Sequence, residues 1–347
     1  MRFPRPVKLS RRTVQLIVLV LIVITPILAR YANYASSRQL DKVMSRFDGS
    51  VQGQILHATD VTIRTVAAPD VLRGENMRRD REAALAAAQS MRGTSWSFEL
   101  FGISLTDPLA ALESALASRS VRWVLILGII IPVILTILLG RIYCSWMCPV
   151  GFALELTGKL RKLLRFLEIP PGKVKLWYGN KYLILVIGLV ISFVIGLPFL
   201  GYLYPPALMG REIHNGVTVL FDRAEEGVLG FSAAGLTLAS WFLLFIALVE
   251  IAFGARLWCR SLCPGGAVYS LLGRYRLIRV KRAADKCTLC GDCVVACEMG
   301  LNPMVDHTGI ECDNCGDCIV SCGDDALGFR LAFQDKPKVA PKTEMVS

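Results

Sequence analysis

Long apolar runs alternate with short basic segments along the chain. Four runs approach the roughly 20 apolar residues that a helix needs to cross a hydrocarbon core: residues 13–28, 121–139, 182–200 and 235–253. The pattern predicts four transmembrane helices. Arg11, Arg12 and Arg30 bound the first run, which is slightly short. Pro132 lies inside the second and predicts a kink, which membrane helices tolerate. In the polar stretch after the first run, "REAALAAAQSM" (81–91) reads as a further docking or packing helix.

The basic residues orient these runs, because Lys and Arg concentrate in cytoplasmic segments. Residues 1–12 carry five Lys/Arg and no acid, and residues 141–181 carry eight against Glu155 and Glu168. Residues 201–233 hold only Arg211 and Arg223 against four acids. After the fourth run come Arg256, Arg260, Arg274, Arg276, Arg279, Lys281 and Arg282. Both termini are therefore expected on the cytoplasmic side, with residues 31–120 as a loop on the opposite face. "RYANYASS" after the first run offers small residues for signal cleavage, but the apolar run exceeds the usual 7–15 residues of a leader. A retained first span is expected.

Composition agrees with the pattern: 54% of the 347 residues are hydrophobic and 19% charged. The net charge of +11 is explained by segments flanking membrane runs, so nucleic acid is not an expected partner. Cysteine changes the picture further. Of twelve cysteines, four form two corners, "RIYCSWMCPVG" (141–151) and "RLWCRSLCPGG" (256–266), each following an apolar run. The corners are an internal repeat. At an offset of 115, Arg141, Cys144, Cys148, Pro149, Gly151, Gly158 and Arg161 fall on Arg256, Cys259, Cys263, Pro264, Gly266, Gly273 and Arg276. Such repeats often pack about a pseudo-twofold axis. That packing would join Cys144, Cys148, Cys259 and Cys263 into a four-thiolate site. Structural thiols, a further metal or cluster site and a dithiol relay all remain open for these four.

The other eight cysteines form a second repeat, offset by 25: "CTLCGDCVVAC" (287–297) and "CDNCGDCIVSC" (312–322). Each has the C-x2-C-x2-C-x3-C spacing of cubane iron–sulfur modules, in which three cysteines bind one cluster and the fourth binds the other. By that crossed rule Cys287, Cys290, Cys293 and Cys322 hold one [4Fe–4S] cluster, and Cys312, Cys315, Cys318 and Cys297 hold the second. Gly291 and Gly316 permit the tight loops, and Val294, Val295, Ile319 and Val320 can shield the clusters from water. Zinc sites usually use two CxxC pairs a dozen or more residues apart, which fits poorly. Glu298 and Gly323 stand where a proline usually follows the fourth cysteine.

Several stretches together resemble the NapH/MauN family of ferredoxin-type membrane proteins: "LTDPLAALESALAS", "YCSWMCPVG", "YPPALMGR", "WCRSLCPGGAVYSLLG" and the two quartets. The same plan appears in the C-terminal half of the regulator NosR. The resemblance covers roughly residues 100–330 and implies a membrane component of a quinol dehydrogenase that feeds electrons towards periplasmic redox enzymes. The implied partners are the quinol pool and a periplasmic iron–sulfur, cytochrome c or dehydrogenase/reductase protein. The organisation expected is an N-terminal segment and first span (1–30), a periplasmic loop (31–120), three spans with two corners (121–283), a 2[4Fe–4S] module (284–333) and a disordered Lys/Pro-rich tail (334–347).

Among the remaining residues, Glu250 lies inside the fourth run, where a carboxylate is costly and a functional candidate by default. It could accept a proton from quinol, or pair with Arg256 or Arg141. His214 is a weaker quinol-site candidate; His57 and His307 carry no signal. Some 30 Å of hydrocarbon separates cytoplasmic clusters from a periplasmic acceptor, too far for one tunnelling step. Either a further centre lies within the spans, or electrons pass from the clusters into the membrane. The rival reading is a metallocentre-maturation factor of CcoG type, reducing a metal ion or protein thiols at the corner cysteines.

Overall fold

The computed structural model describes residues 6–37, 39–67, 91–94, 97–100, 103–166, 176–225, 237–305 and 309–332. Most of residues 81–91, His307 and the tail beyond 333 lie outside the described residues. Helix α1 (Pro6–Ser36) runs through Pro26. Over Pro6–Ala35, with a mean hydropathy of 2.3, it is long and apolar enough to cross a membrane. Helices α2 (Leu40–Arg46) and α3 (Val51–Ala67) follow, then a three-stranded antiparallel sheet of β1 (Met91–Thr94), β2 (Ser97–Leu100) and β3 (Ile103–Thr106).

Helix α4 (Pro108–Ser118) starts where Asp107 Oδ1 accepts from Leu109 N at 2.8 Å, with proline in the first turn. Both features favour a helix start. Three apolar helices of sixteen or seventeen residues come next: α5 (Trp123–Leu139), α7 (Asn180–Ile195) and α9 (Leu238–Phe253). Helix α5 carries through Pro132 and ends at Gly140. Helix α7 ends at Gly196, whose φ of +74° is a common helix stop. Between them lie α6 (Pro149–Phe166) and α8 (Pro205–Glu225), while α10 (Leu257–Ser261) and α11 (Pro264–Leu272) follow α9.

Within the 31–120 stretch, β3 and α4 pack back against the apolar helices rather than standing away from them. A Cβ on Gly128 of α5 would come within 2.8 Å of Thr106 Oγ1. Glu113 of α4 accepts from Ser192 Oγ at 2.9 Å and from Leu200 N. Asp107 Oδ2 accepts from Tyr204 and Tyr269 hydroxyls at 2.7 and 2.9 Å. Three separate stretches thus share one buried carboxylate, and a buried acceptor satisfied this fully costs little. The apolar core around it includes Leu109, Leu185, Leu200, Ile246 and Ala267, and it contains Cys148 and Cys263.

The C-terminal module is built on β4 (Ile278–Arg282) and β5 (Leu327–Leu331), paired antiparallel with Ile278 opposite Leu331. Strand β4 pairs with β5 along its whole length, from Ile278 to Arg282. Short helices α12 (Asp292–Ala296) and α13 (Asp317–Ser321) each begin after a left-handed glycine, Gly291 at φ +83° and Gly316 at φ +81°. The preceding Leu289 and Asn314 also have positive φ, 60° and 53°. The sequence repeat is therefore a backbone repeat.

Candidate functional site

Two cavities in the tail are each lined by four cysteines. One is lined by Cys287, Cys290 and Cys293 of the first quartet and Cys322 of the second. The other is lined by Cys312, Cys315 and Cys318 of the second quartet and Cys297 of the first. Four thiols and an apolar rim around each cavity suit the donor chemistry of an iron–sulfur cubane. Among the described residues no three His, Cys, Asp or Glu side chains converge closely enough for a single metal ion. Burial and the neighbouring Cys312, Cys297 and Cys293 push the Cys318 thiol up to about 12. A bound metal would have to displace those protons. Ile319 is buried against the module core and Val294 packs on it, but Val295 is 90% exposed and shields nothing.

The two cysteine loops have different surroundings. The 312–318 loop is pressed against the rest of the chain. Arg141 Nη1 donates to Glu311 O and Oε2 at 3.1 and 2.9 Å. Arg256 donates to Asp313, Glu298 and Glu155 at 2.9, 2.7 and 3.2 Å. Arg276 donates to the carbonyls of Gly309 and Cys312 at 2.8 and 3.1 Å. Arg11 of α1 reaches Cys315 O at 2.9 Å and Asp317 at 3.0 Å. Ser145 Oγ and Trp146 Nε1, both inside the first corner, donate to Asp313 O and Asn314 O. The 287–293 loop faces outward, with Cys290 exposed and Leu289 65% exposed.

The corners have a common geometry. Cys148 sits at φ −69°, ψ 117° and Cys263 at φ −69°, ψ 116°, each just before the proline that opens a helix. Proline restricts the residue before it to this extended region. Each Sγ accepts from the glycine amide three residues on, Gly151 or Gly266, at 3.4 Å. The glycines are required by close approach. A Cβ at Gly151 would lie 2.8 Å from Cys144 O, and one at Gly266 would lie 3.0 Å from Cys259 O and from Arg141 Nη2.

The same cysteine conformation recurs in the tail. Cys297 has φ −76°, ψ 101° and Cys322 has φ −69°, ψ 114°. The last cysteine of each C-x3-C therefore turns alike in the corners and in the tail. The four corner thiols are also electrostatic neighbours. Burial first, then Cys144 and Cys263, push Cys148 up to about 12; burial, with Cys144 next among the raising charges, does the same for Cys263. Burial, Cys263, Glu250 and Cys148 raise Cys259. A dithiol relay would need thiolates, and burial opposes them here.

Glu250 is 1% exposed, and its Oε1 accepts from Trp258 N at 2.8 Å, bracing the start of the second corner. His214 and His57 are exposed and touch neither corner nor tail among the interactions described. Sequence reasoning missed Asp107 with Tyr204 and Tyr269, and missed Glu311 and Asp313. Asp107 and Tyr204 do each precede a proline that starts a helix, a capping signal that was available.

Comparisons agree with this chemistry. A family model described as "4Fe-4S binding domain" matches residues 121–166 and 234–283, the two corner units, ending before the tail quartets. The chain is 33% identical over 207 residues to the ferredoxin-type protein NapH of Haemophilus influenzae, covering 58% of this chain and 63% of that one. It is 31% identical over 200 residues to NapH of Escherichia coli, covering 56% and 61%. Less than two thirds of either NapH is thus spanned. It is 31% identical over 232 residues to the methylamine utilization ferredoxin-type protein MauN of Paracoccus denitrificans, covering 62% of this chain and 72% of that relative. No solved structure matches. The extent of the MauN match, on a chain with two corner units and two cysteine quartets, identifies it as a member of the NapH/MauN family of ferredoxin-type iron–sulfur electron-transfer proteins.

Proposed function

We propose that this protein is a multi-pass inner-membrane electron carrier that oxidises a quinol and serves a periplasmic redox partner. The observation that carries the reading is the docking of the 312–318 loop on the corner of the apolar bundle. Cys287, Cys290, Cys293 and Cys322 would hold one cluster, and Cys312, Cys315, Cys318 and Cys297 the other. Such clusters, when bound, accept and release electrons one at a time. Oxidation of a quinol to the quinone yields two electrons and two protons, so a carrier of single electrons must split the pair.

The chain's own residues support each part. Leu127, Val186 and Leu244, on α5, α7 and α9, are 63%, 59% and 49% exposed. Apolar surfaces of this extent suit lipid rather than water, which supports four spans. The contact of Arg11 with Cys315 and Asp317 supports a common, cytoplasmic side for the N-terminus and the tail. The corner repeat, with matched turns at Cys148 and Cys263, supports a pseudo-twofold arrangement in which Cys144, Cys148, Cys259 and Cys263 act as one metal or redox site. That site lies between the bilayer and the tail. Glu250 braces this site and is the candidate proton acceptor.

The test is anaerobic EPR of purified protein, with quinol and then dithionite as reductant. About eight irons in two cubanes, with at least one cluster reduced by quinol, is the expected result. Cluster signals that respond to dithionite but never to quinol would remove the quinol role.

A further inference from the structure

The two corners contribute one arginine each to the same short segment of the tail. Arg141 and Arg256 are equivalent residues of the 115-residue repeat, and both are almost fully buried, at 1% and 3% exposure. Arg141 holds Glu311 and Arg256 holds Asp313, both at 2.9 Å. Between those acids lies Cys312, the first cysteine of the inward-facing loop. Each arginine also faces its own corner. Arg141 stands three residues before Cys144 and Arg256 three residues before Cys259. Lys181 adds a second cation on Glu311, and the Tyr182 hydroxyl donates to its other oxygen at 2.8 Å.

Burying two guanidinium groups and two carboxylates is expensive unless geometry and hydrogen bonding are nearly complete. An interface needing only adhesion would be served as well by apolar contacts. The charges instead sit where they act on one cysteine set and not on the other. Beside the outward loop, among the described residues, Arg282 lies 3.9 Å from Cys287 Sγ.

We propose that Arg141 and Arg256 are positioning residues that clamp Glu311 and Asp313, fixing the cluster of Cys312, Cys315, Cys318 and Cys297 as the one that faces the corners and the membrane half. This rests on the reading that the tail holds two clusters. The clamp places the inward cluster next to the membrane half and leaves the outward cluster as the terminal member. It also makes the inward cluster's potential depend on the clamp charges, since nearby charge is a principal determinant of cluster potential.

Mediated redox titration followed by EPR tests this without a quinol or a partner. The two signals are first assigned by loss, inward with Cys318→Ser and outward with Cys293→Ser. Arg141→Gln and Arg256→Gln should each shift the inward potential to more negative values, because a positive charge is gone and an acid is left unbalanced. Glu311→Gln should shift it the opposite way, and Arg141→Lys should restore much of the original value. The outward signal, in the same molecule, should stay where it is. Loosened packing alone would move all variants in one direction. Same-sign shifts for Arg141→Gln and Glu311→Gln, or an outward signal that moves as far as the inward one, would overturn the clamp. If Arg141→Gln and Arg256→Gln lose the inward signal altogether, Glu311→Gln and Arg141→Lys decide by the sign and size of their shifts. Fewer than two signals in the unmodified protein would instead remove the two-cluster reading, and this inference with it.

Discussion

The quartets at 287–297 and 312–322 share a spacing, a left-handed glycine before a one-turn helix and an extended last cysteine. Their environments diverge at single positions. Leu289 and Asn314 occupy equivalent places with φ of 60° and 53°. Leu289 pays for that conformation in solvent, being 65% exposed. Asn314 is buried, and asparagine tolerates the left-handed region better than leucine does. Its Nδ2 donates to Leu139 O and Ile278 O at 2.8 and 3.0 Å, tying the loop to the end of α5 and to the module's own strand. One local motif has thus been used twice, once as a docked face and once as a free one.

The sharpest way to break this comparison is to exchange which quartet supplies the fourth ligand. Cys322→Ser should abolish the outward cluster, whose other three cysteines belong to the first quartet. Cys297→Ser should abolish the inward one. Iron content should fall by about half in each, and EPR should show the opposite signal surviving. If Cys322→Ser removed the inward signal, the two cavities would have been assigned to the wrong clusters.

Much of this was legible before any coordinates. The quartets and corners announce themselves because ligand spacing is local, and proline and glycine fix the backbone around each cysteine. The partners of the charged residues were not legible. Arg141 and Glu311 are separated by 170 positions, as are Arg256 and Asp313 by 57, and nothing in either neighbourhood specifies the match. The same holds for Asp107, which looks like an ordinary helix cap until Tyr204 and Tyr269 arrive from stretches about 100 and 160 residues away. Glu250 was legible as unusual, but its bond to the Trp258 amide depends on how the corner folds back after Gly254. Long-range pairing is a property of packing, and packing follows from all the helices together.

A smaller effect sharpens the contrast in docking. Arg256→Ala takes the buried Asp313 away from its Arg256 ion pair, which costs about 3–5 kcal/mol by the behaviour of broken buried ion pairs. Arg282→Ala, beside the outward loop, removes one long thiol contact and should cost no more than about 1 kcal/mol. The temperature at which iron–sulfur absorbance bleaches in detergent reads both. Arg256→Ala should lower it clearly and Arg282→Ala hardly at all. Equal losses would mean that the inward loop is held by the module's own fold and not by the corners.

The smallest expected difference concerns the apolar residues of the two short helices. Ile319 in α13 is 8% exposed and belongs to the core that includes Val280, Ala326 and Leu327, whereas Val295 in α12 is 90% exposed. Ile319→Ala opens a cavity where the surrounding groups are tied by the β4–β5 ribbon, so it should cost about 2–5 kcal/mol. Val295→Ala removes methyl groups that already meet solvent and should stay within about 0.5 kcal/mol. The bleaching temperature again separates them, and EPR line shape adds a second view. Only Ile319→Ala should broaden the cluster signals, because it alone loosens the packing behind Cys318 and Cys322. A pronounced loss on Val295→Ala would show that the outward face is covered in the working protein. That would make the contrast between a docked loop and a free one a contrast between two docked loops with different partners.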